Sequence, residues 1–160
     1  MTDLTTRLAS RLTALNWMMA TAESCTGGLI AAHCTDLPGS SKWFERGFVT
    51  YSNAAKTELL GVPPDVIAAE GAVSESVARA MALGAYYRTP ARVSVAVTGV
   101  AGPDGGSADK PVGTVWLAWC IDGQVHAERQ QFEGQRQTIR EATVAHSLQG
   151  LLQRLPHAPT

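Results

Sequence analysis

The chain has 160 residues, a formal net charge of −1 and 17% charged residues, which fits one domain built on a single sizeable core. No basic run or stripe offers the footprint of a nucleic-acid binder, and no apolar stretch approaches the ~20 residues that span a bilayer, so neither nucleic acid nor membrane is an expected partner. The polar start "MTDLTTRLAS" lacks the pattern of a signal peptide, and a cytoplasmic protein is expected.

Leu4, Leu8, Leu12 and Leu15 fall on one helical face behind Asp3, so residues 3–16 read as an amphipathic helix with that aspartate as its cap. Residues 17–23 follow as a strand. From Gly27 onward "GGLIAAHCTDL" suits a short helix stopped by "PGSS", and "RGFVTYS" is a second strand rich in β-formers. Residues 53–60 are helical and closed by Gly61, "PPDVIAAEG" is a helical turn, and Ser74 caps "ESVARAMALGAYYR". The pattern then turns to β. "ARVSVAVTG" reads as a buried strand, and "VGTVWLAWCI" and "QVHAERQQFE" pair across Asp122-Gly123, a two-residue hairpin signal. Trp116 and Trp119 fall on opposite sheet faces by parity, and both are assigned to the core with Trp43, Phe44 and Phe48. A long helix closes the chain, with Val144, Leu148, Leu151, Leu152 and Leu155 on one face. This order implies α/β architecture, a single three-layer α/β/α domain around a mixed sheet.

Two stretches stand out chemically. "TAESCTGG" places Ser24, Cys25 and Thr26 where a strand turns into a helix, ahead of Gly27 and Gly28. Such a turn offers a nucleophile beside unpaired helix N–H groups, or equally a simple helix cap. A hydroxyl needs a base. His33, His126, His146 and His157 occupy no triad context, which leaves Lys56 in "TYSNAAK" as the candidate, against the alternative of a solvated lysine. Of the two strongly basic side chains only lysine can be made neutral near pH 7, and the chain has three lysines against ten arginines.

The loop "TGVAGPDGGSADKPVG" is long enough to be functional, and its glycines suit a nest of N–H groups around a phosphate with Lys110 at hand. It matches neither common dinucleotide nor P-loop spacing. "SADK" spells S-x-x-K, but the flanking glycines and Pro111 do not start a helix, as that motif requires. Hydroxyls and an amide at Ser40, Ser41, Tyr51, Ser52 and Asn53 are candidates for lining a polar pocket. Cys25, Cys34 and Cys120 form no C-x-x-C pair and no zinc-ligand spacing, so no disulfide framework, metal site or cofactor is expected.

Together, "TAESCTGG", "PGSSKWFERGFVTYSNAAK", "GAVSE" and "TGVAGPDGGSADKPVGTVW" closely resemble the CinA C-terminal domain family, including its stand-alone nicotinamide mononucleotide amidohydrolases. The motifs run in order over nearly the whole chain. Larger members add an N-terminal domain, whose activities are not expected here. The resemblance implies hydrolysis of the carboxamide of a small nucleotide, nicotinamide mononucleotide, to nicotinic acid mononucleotide and ammonia. It implies a metal-independent mechanism with Ser24 as nucleophile and Lys56 as base, Tyr51 and Thr98 orienting or relaying, and N–H groups near Thr26 to Gly28 holding the oxyanion. Gly99, Gly102, Gly105, Gly106 and Lys110 would shape the pocket and bind phosphate or ribose, from one subunit near another's site in a homo-oligomer. Two rivals remain at this point: a non-catalytic nucleotide-binding module, and a thiol hydrolase centred on Cys25.

Overall fold

The strand-forming runs make one sheet. In the computed structural model, which describes residues 1–159, its strands are β1 (Met19–Glu23), β2 (Phe44–Val49), β3 (Val93–Gly99), β4 (Thr114–Ile121) and β5 (Gln124–Gln131), in the order β2-β1-β3-β4-β5. β1 is parallel to both β2 and β3, whereas β4 and β5 run antiparallel to their neighbours. The helices are α1 (Thr2–Leu15), α2 (Leu29–Thr35), α3 (Asn53–Leu60), α4 (Pro64–Glu70), α5 (Glu75–Tyr87) and α6 (Arg136–Arg154). The sheet is mixed and covered on both faces, as the sequence pattern predicts.

Side-chain alternation divides the core into two layers. Met19, Val93, Val95, Val97, Val115, Leu117 and Trp119 face one side, under α1, α2 and α6. Ala20, Ala22, Ala96 and Ala118 face the other. Their small size lets α5 approach closely enough for the Ser94 hydroxyl to donate to the Ala82 carbonyl at 2.7 Å. Trp119 and Trp43 are buried, whereas Trp116, Phe44 and Phe48 are only partly covered because they pack at the margins of the layers.

Element boundaries shift where hydrogen bonds go elsewhere. The second strand ends at Val49 rather than at residue 52, because the Thr50 and Tyr51 carbonyls accept from Lys56 instead of continuing a ladder. α2 starts at Leu29 because Gly27 and Gly28 adopt φ of 59° and 104°, values foreign to a helix. Asp3 lies in the first turn of α1 but does not cap it; the N-cap is Met1. Asp122 and Gly123 both have positive φ, as the tight hairpin turn requires.

Candidate active site

β1 leads through α2 to β2 on one side, and the next connection crosses to β3 on the other. The carboxyl end of β1 is therefore a topological switch point, where open α/β sheets leave a crevice. Ser24 is the first residue past β1, tied to β3 by its N–H to the Val97 carbonyl at 3.1 Å. Glu23 turns toward α2, while Ser24 continues the parity of Ala20 and Ala22 and faces the α3 layer.

From α3, Lys56 reaches back to that hydroxyl. Its Nζ is 2.9 Å from Ser24 Oγ, 2.9 Å from the Thr50 carbonyl and 3.2 Å from the Tyr51 carbonyl. Lys56 is 1% exposed, Ser24 is 8% exposed, and no carboxylate among the described residues pairs with the ammonium. Burial pushes the lysine below its ordinary pKa, with a small opposing influence from Cys25. Ser52 sets this geometry by capping α3, its hydroxyl accepting from the Ala55 N–H.

The turn after Ser24 is wired by Glu23. Its carboxylate, wholly buried, accepts from the Thr26 hydroxyl, the Ile30 N–H at 2.8 Å and the Ala31 N–H at 3.0 Å. Glu23 thus takes up the Ile30 and Ala31 N–H groups of α2, and any oxyanion donor must come from the preceding turn, Thr26 to Gly28. The Gly27 N–H goes to the Ser24 carbonyl at 3.0 Å, whereas the Cys25 and Thr26 N–H groups find no acceptor among the described residues. The Thr26 side chain serves the turn rather than the pocket. Cys25 is 5% exposed, and burial pushes its thiol up to about 12, which opposes a thiolate nucleophile.

Ser24, Cys25, Tyr51, Asn53, Lys56 and Thr98 line a cavity of about 290 Å³, together with Gly99, Val100, Ala101, Gly102, Asp104 and Gly105. Thr98 is buried and its hydroxyl donates to the Ala72 carbonyl at 2.8 Å, so it pins the loop before α5 to β3. Gly102 and Gly105 have φ of 76° and 90°. Gly99 is required by packing, for an added Cβ would sit 2.7 Å from Val115. Gly106 lies against Val112 and does not line the cavity.

Other expected residues lie elsewhere. Ser40 and Ser41 form a short turn before β2, at the end of the sheet opposite Ser24, because β2 is parallel to β1 and Phe44 pairs with Met19. The single chain does not bring them to the cavity. The Lys110 ammonium donates to the Glu70 carbonyl at 2.6 Å, at the C-terminus of α4, so it is not aimed at the pocket. Its backbone N–H, rather than its ammonium, meets the Ser107 hydroxyl, which disposes of the S-x-x-K reading.

Two arginines of α6 were not singled out from the sequence. Arg136 lines the cavity, with Nη1 donating to the Gly102 carbonyl at 2.7 Å and Nη2 to the Tyr51 hydroxyl at 3.1 Å. Arg140 donates to the carbonyls of Cys25 at 3.1 Å and Thr26 at 2.9 Å. Their i, i+4 spacing at the start of the closing helix is a signal that the apolar stripe of that helix hides.

A serine hydroxyl within hydrogen-bond reach of a buried lysine, which has no carboxylate partner among the described residues, marks the switch point of this α/β sheet and defines a domain class with a buried serine–lysine pair. The chain belongs to the CinA C-terminal domain family, whose profile matches residues 1–155. A Pseudomonas putida protein named nicotinamide-nucleotide amidohydrolase PncC is 57% identical over 152 residues, covering 95% of each chain. A protein of that name from Escherichia coli K12 is 47% identical over 153 residues, covering 95% of this chain and 93% of its own. The crystal structure of competence/damage inducible protein CihA from Agrobacterium tumefaciens superposes with a TM-score of 0.91 at 48% identity, covering 93% of this chain and 92% of that one.

Proposed function

We propose that this chain is a nicotinamide-nucleotide amidase, hydrolysing the carboxamide of nicotinamide mononucleotide to nicotinic acid mononucleotide and ammonia. The relatives' names supply the substrate. The observation that carries the chemistry is the 2.9 Å contact between Lys56 Nζ and Ser24 Oγ, with no ion pair to Lys56 among the described residues.

A neutral Lys56 has two N–H bonds and one lone pair. The two N–H groups can stay on the Thr50 and Tyr51 carbonyls, which leaves the lone pair for the Ser24 proton. Ser24 Oγ then attacks the carboxamide carbon as its proton passes to Lys56, and the lysine returns that proton to the departing ammonia. Water, deprotonated by the same lysine, attacks the acyl-enzyme and frees the carboxylate product and Ser24. The free amides of the Ser24 turn stabilise each tetrahedral oxyanion.

Arg136, the guanidinium on the cavity wall, meets the substrate phosphate beside the Gly102–Gly105 backbone of the same chain. The cavity, about 290 Å³, is small for a whole nucleotide, which supports a homo-oligomer whose second copy completes the wall around exposed Tyr51. No helix among the described residues is long and apolar enough to cross a membrane, in keeping with a cytoplasmic setting for nucleotide salvage.

Ammonia release from nicotinamide mononucleotide, with chelator present, tests the reading. Wild type is active, Ser24→Ala and Lys56→Ala each lose ~10³-fold or more while remaining folded, and Cys25→Ala keeps activity. An inactive wild type would return the chain to the binding-module alternative, and loss confined to Cys25→Ala would make it a thiol hydrolase.

A further inference from the structure

The mechanism leaves unused an arginine that sits against the nucleophile turn. Arg140 projects from α6, makes no ion pair among the described residues, and spends its guanidinium on two backbone carbonyls of the nucleophile turn. An arginine turned on carbonyls, with no carboxylate partner, fixes the orientation of the peptide planes that carry them.

Peptide planarity makes that orientation consequential. In a trans peptide the N–H points opposite to the C=O of the same plane, and the turn contains no cis bond. The Cys25 carbonyl shares its plane with the Thr26 N–H, and the Thr26 carbonyl shares its plane with the Gly27 N–H. Arg140 draws both carbonyls toward α6, on the layer that holds α1, α2 and α6. Both N–H groups therefore point away from the Arg140 guanidinium, and Ser24, at the start of the same turn, faces the layer where α3 carries Lys56. The Gly27 N–H is satisfied by the Ser24 carbonyl, and the Thr26 N–H is left without an acceptor among the described residues.

We infer that Arg140 is a positioning residue that builds the oxyanion hole from the far side of the turn, aiming the Thr26 N–H at the carbonyl oxygen of the bound amide. Its charge also polarises the two peptide groups, which strengthens their N–H groups as donors. Glu23 holds the other end of the same turn through α2, so the segment from Ser24 to Gly28 is fixed between an anion accepting from amides and a cation donating to carbonyls. This inference rests on the serine–lysine reading above.

The test compares wild type with Arg140→Met and Arg140→Lys, with thermal melts to establish that each is folded. For nicotinamide mononucleotide, Arg140→Met is expected to lower kcat by roughly 10²-fold, the usual effect of losing one oxyanion donor, with KM changed less than about threefold. Arg140→Lys, able to reach one carbonyl, falls between, and guanidinium ion added to Arg140→Met restores part of kcat. The pH midpoint of the rate, set by Lys56, stays in place.

A substrate-independent probe separates the two claims. Phenylmethylsulfonyl fluoride sulfonylates a reactive serine with loss of fluoride, and its sulfonyl oxygen needs the same hole. Ser24 labelling, followed by mass spectrometry, slows in Arg140→Met in parallel with kcat. A folded Arg140→Met with wild-type kcat and labelling rate, or one altered in KM alone, overturns the positioning role while leaving the amidase intact. A wild type that neither releases ammonia nor labels at Ser24 overturns the serine–lysine reading and this inference with it.

Discussion

Lys56 has four tetrahedral positions around its nitrogen and three partners within hydrogen-bond distance, two of which can only accept. The site therefore admits both protonation states, and burial favours the neutral one. Because only the neutral amine can take the serine proton, kcat/KM should rise with pH through a midpoint below the ordinary lysine value of 10.5. Stability carries the same sign. Between the lowered folded pKa and an unfolded value of ~10.4, the unfolded chain binds more protons, so stability contributed by this residue rises with pH across that window. Thermal midpoints of wild type and Lys56→Met measured from pH 7 to pH 10 should show wild type gaining on the variant; a constant gap would mean that Lys56 titrates normally. Ser24 and Lys56 were both legible from residue chemistry and motif context. Lys110, Ser40 and Ser41 were assigned to the pocket from sequence proximity to glycines and aromatics, whereas parallel pairing and a carbonyl cap on α4 keep them off this chain's own cavity.

Among the elements, α3 matters most because it carries Lys56, and its end is seated on α5. A Cβ added at Gly84 of α5 would fall 2.1 Å from the Leu60 carbonyl oxygen, backbone that cannot swing aside. Gly84→Ala must therefore push α3 away from α5, at a cost of about 1–3 kcal/mol, the usual range for overpacking. The expected outcome is a lower urea midpoint together with a fall in kcat, since the displacement lengthens the Lys56–Ser24 contact. Lost stability with an unchanged kcat would show that α3 moves without its lysine. The helices and strands themselves were readable from periodicity and β-former content, because each buries one face against the sheet. Their ends were less readable. Thr50 and Tyr51 are good strand residues by type, but their carbonyls belong to Lys56, and that competition is tertiary.

At the scale of the whole molecule, the site is assembled from segments as far apart as Ser24 and Arg140, and both core layers share the same strands. Val93, Val95 and Val97 point into one layer while Ser94 and Ala96 point into the other, so neither layer can come away without breaking β3. The fold class was visible in the order of elements, yet the sheet order was not, because nothing in the sequence says that β1 sits between β2 and β3. That crossing creates the crevice at Ser24 and lets α6, which follows β5, brace a turn next to β1. A chain so interleaved should unfold as one unit. Urea unfolding followed by far-UV circular dichroism, by the fluorescence of buried Trp119 and Trp43, and by loss of amidase activity should give superimposable curves. Activity lost at lower urea than the spectroscopic transitions would mean that the α6 clasp on the Ser24 turn opens before the sheet does.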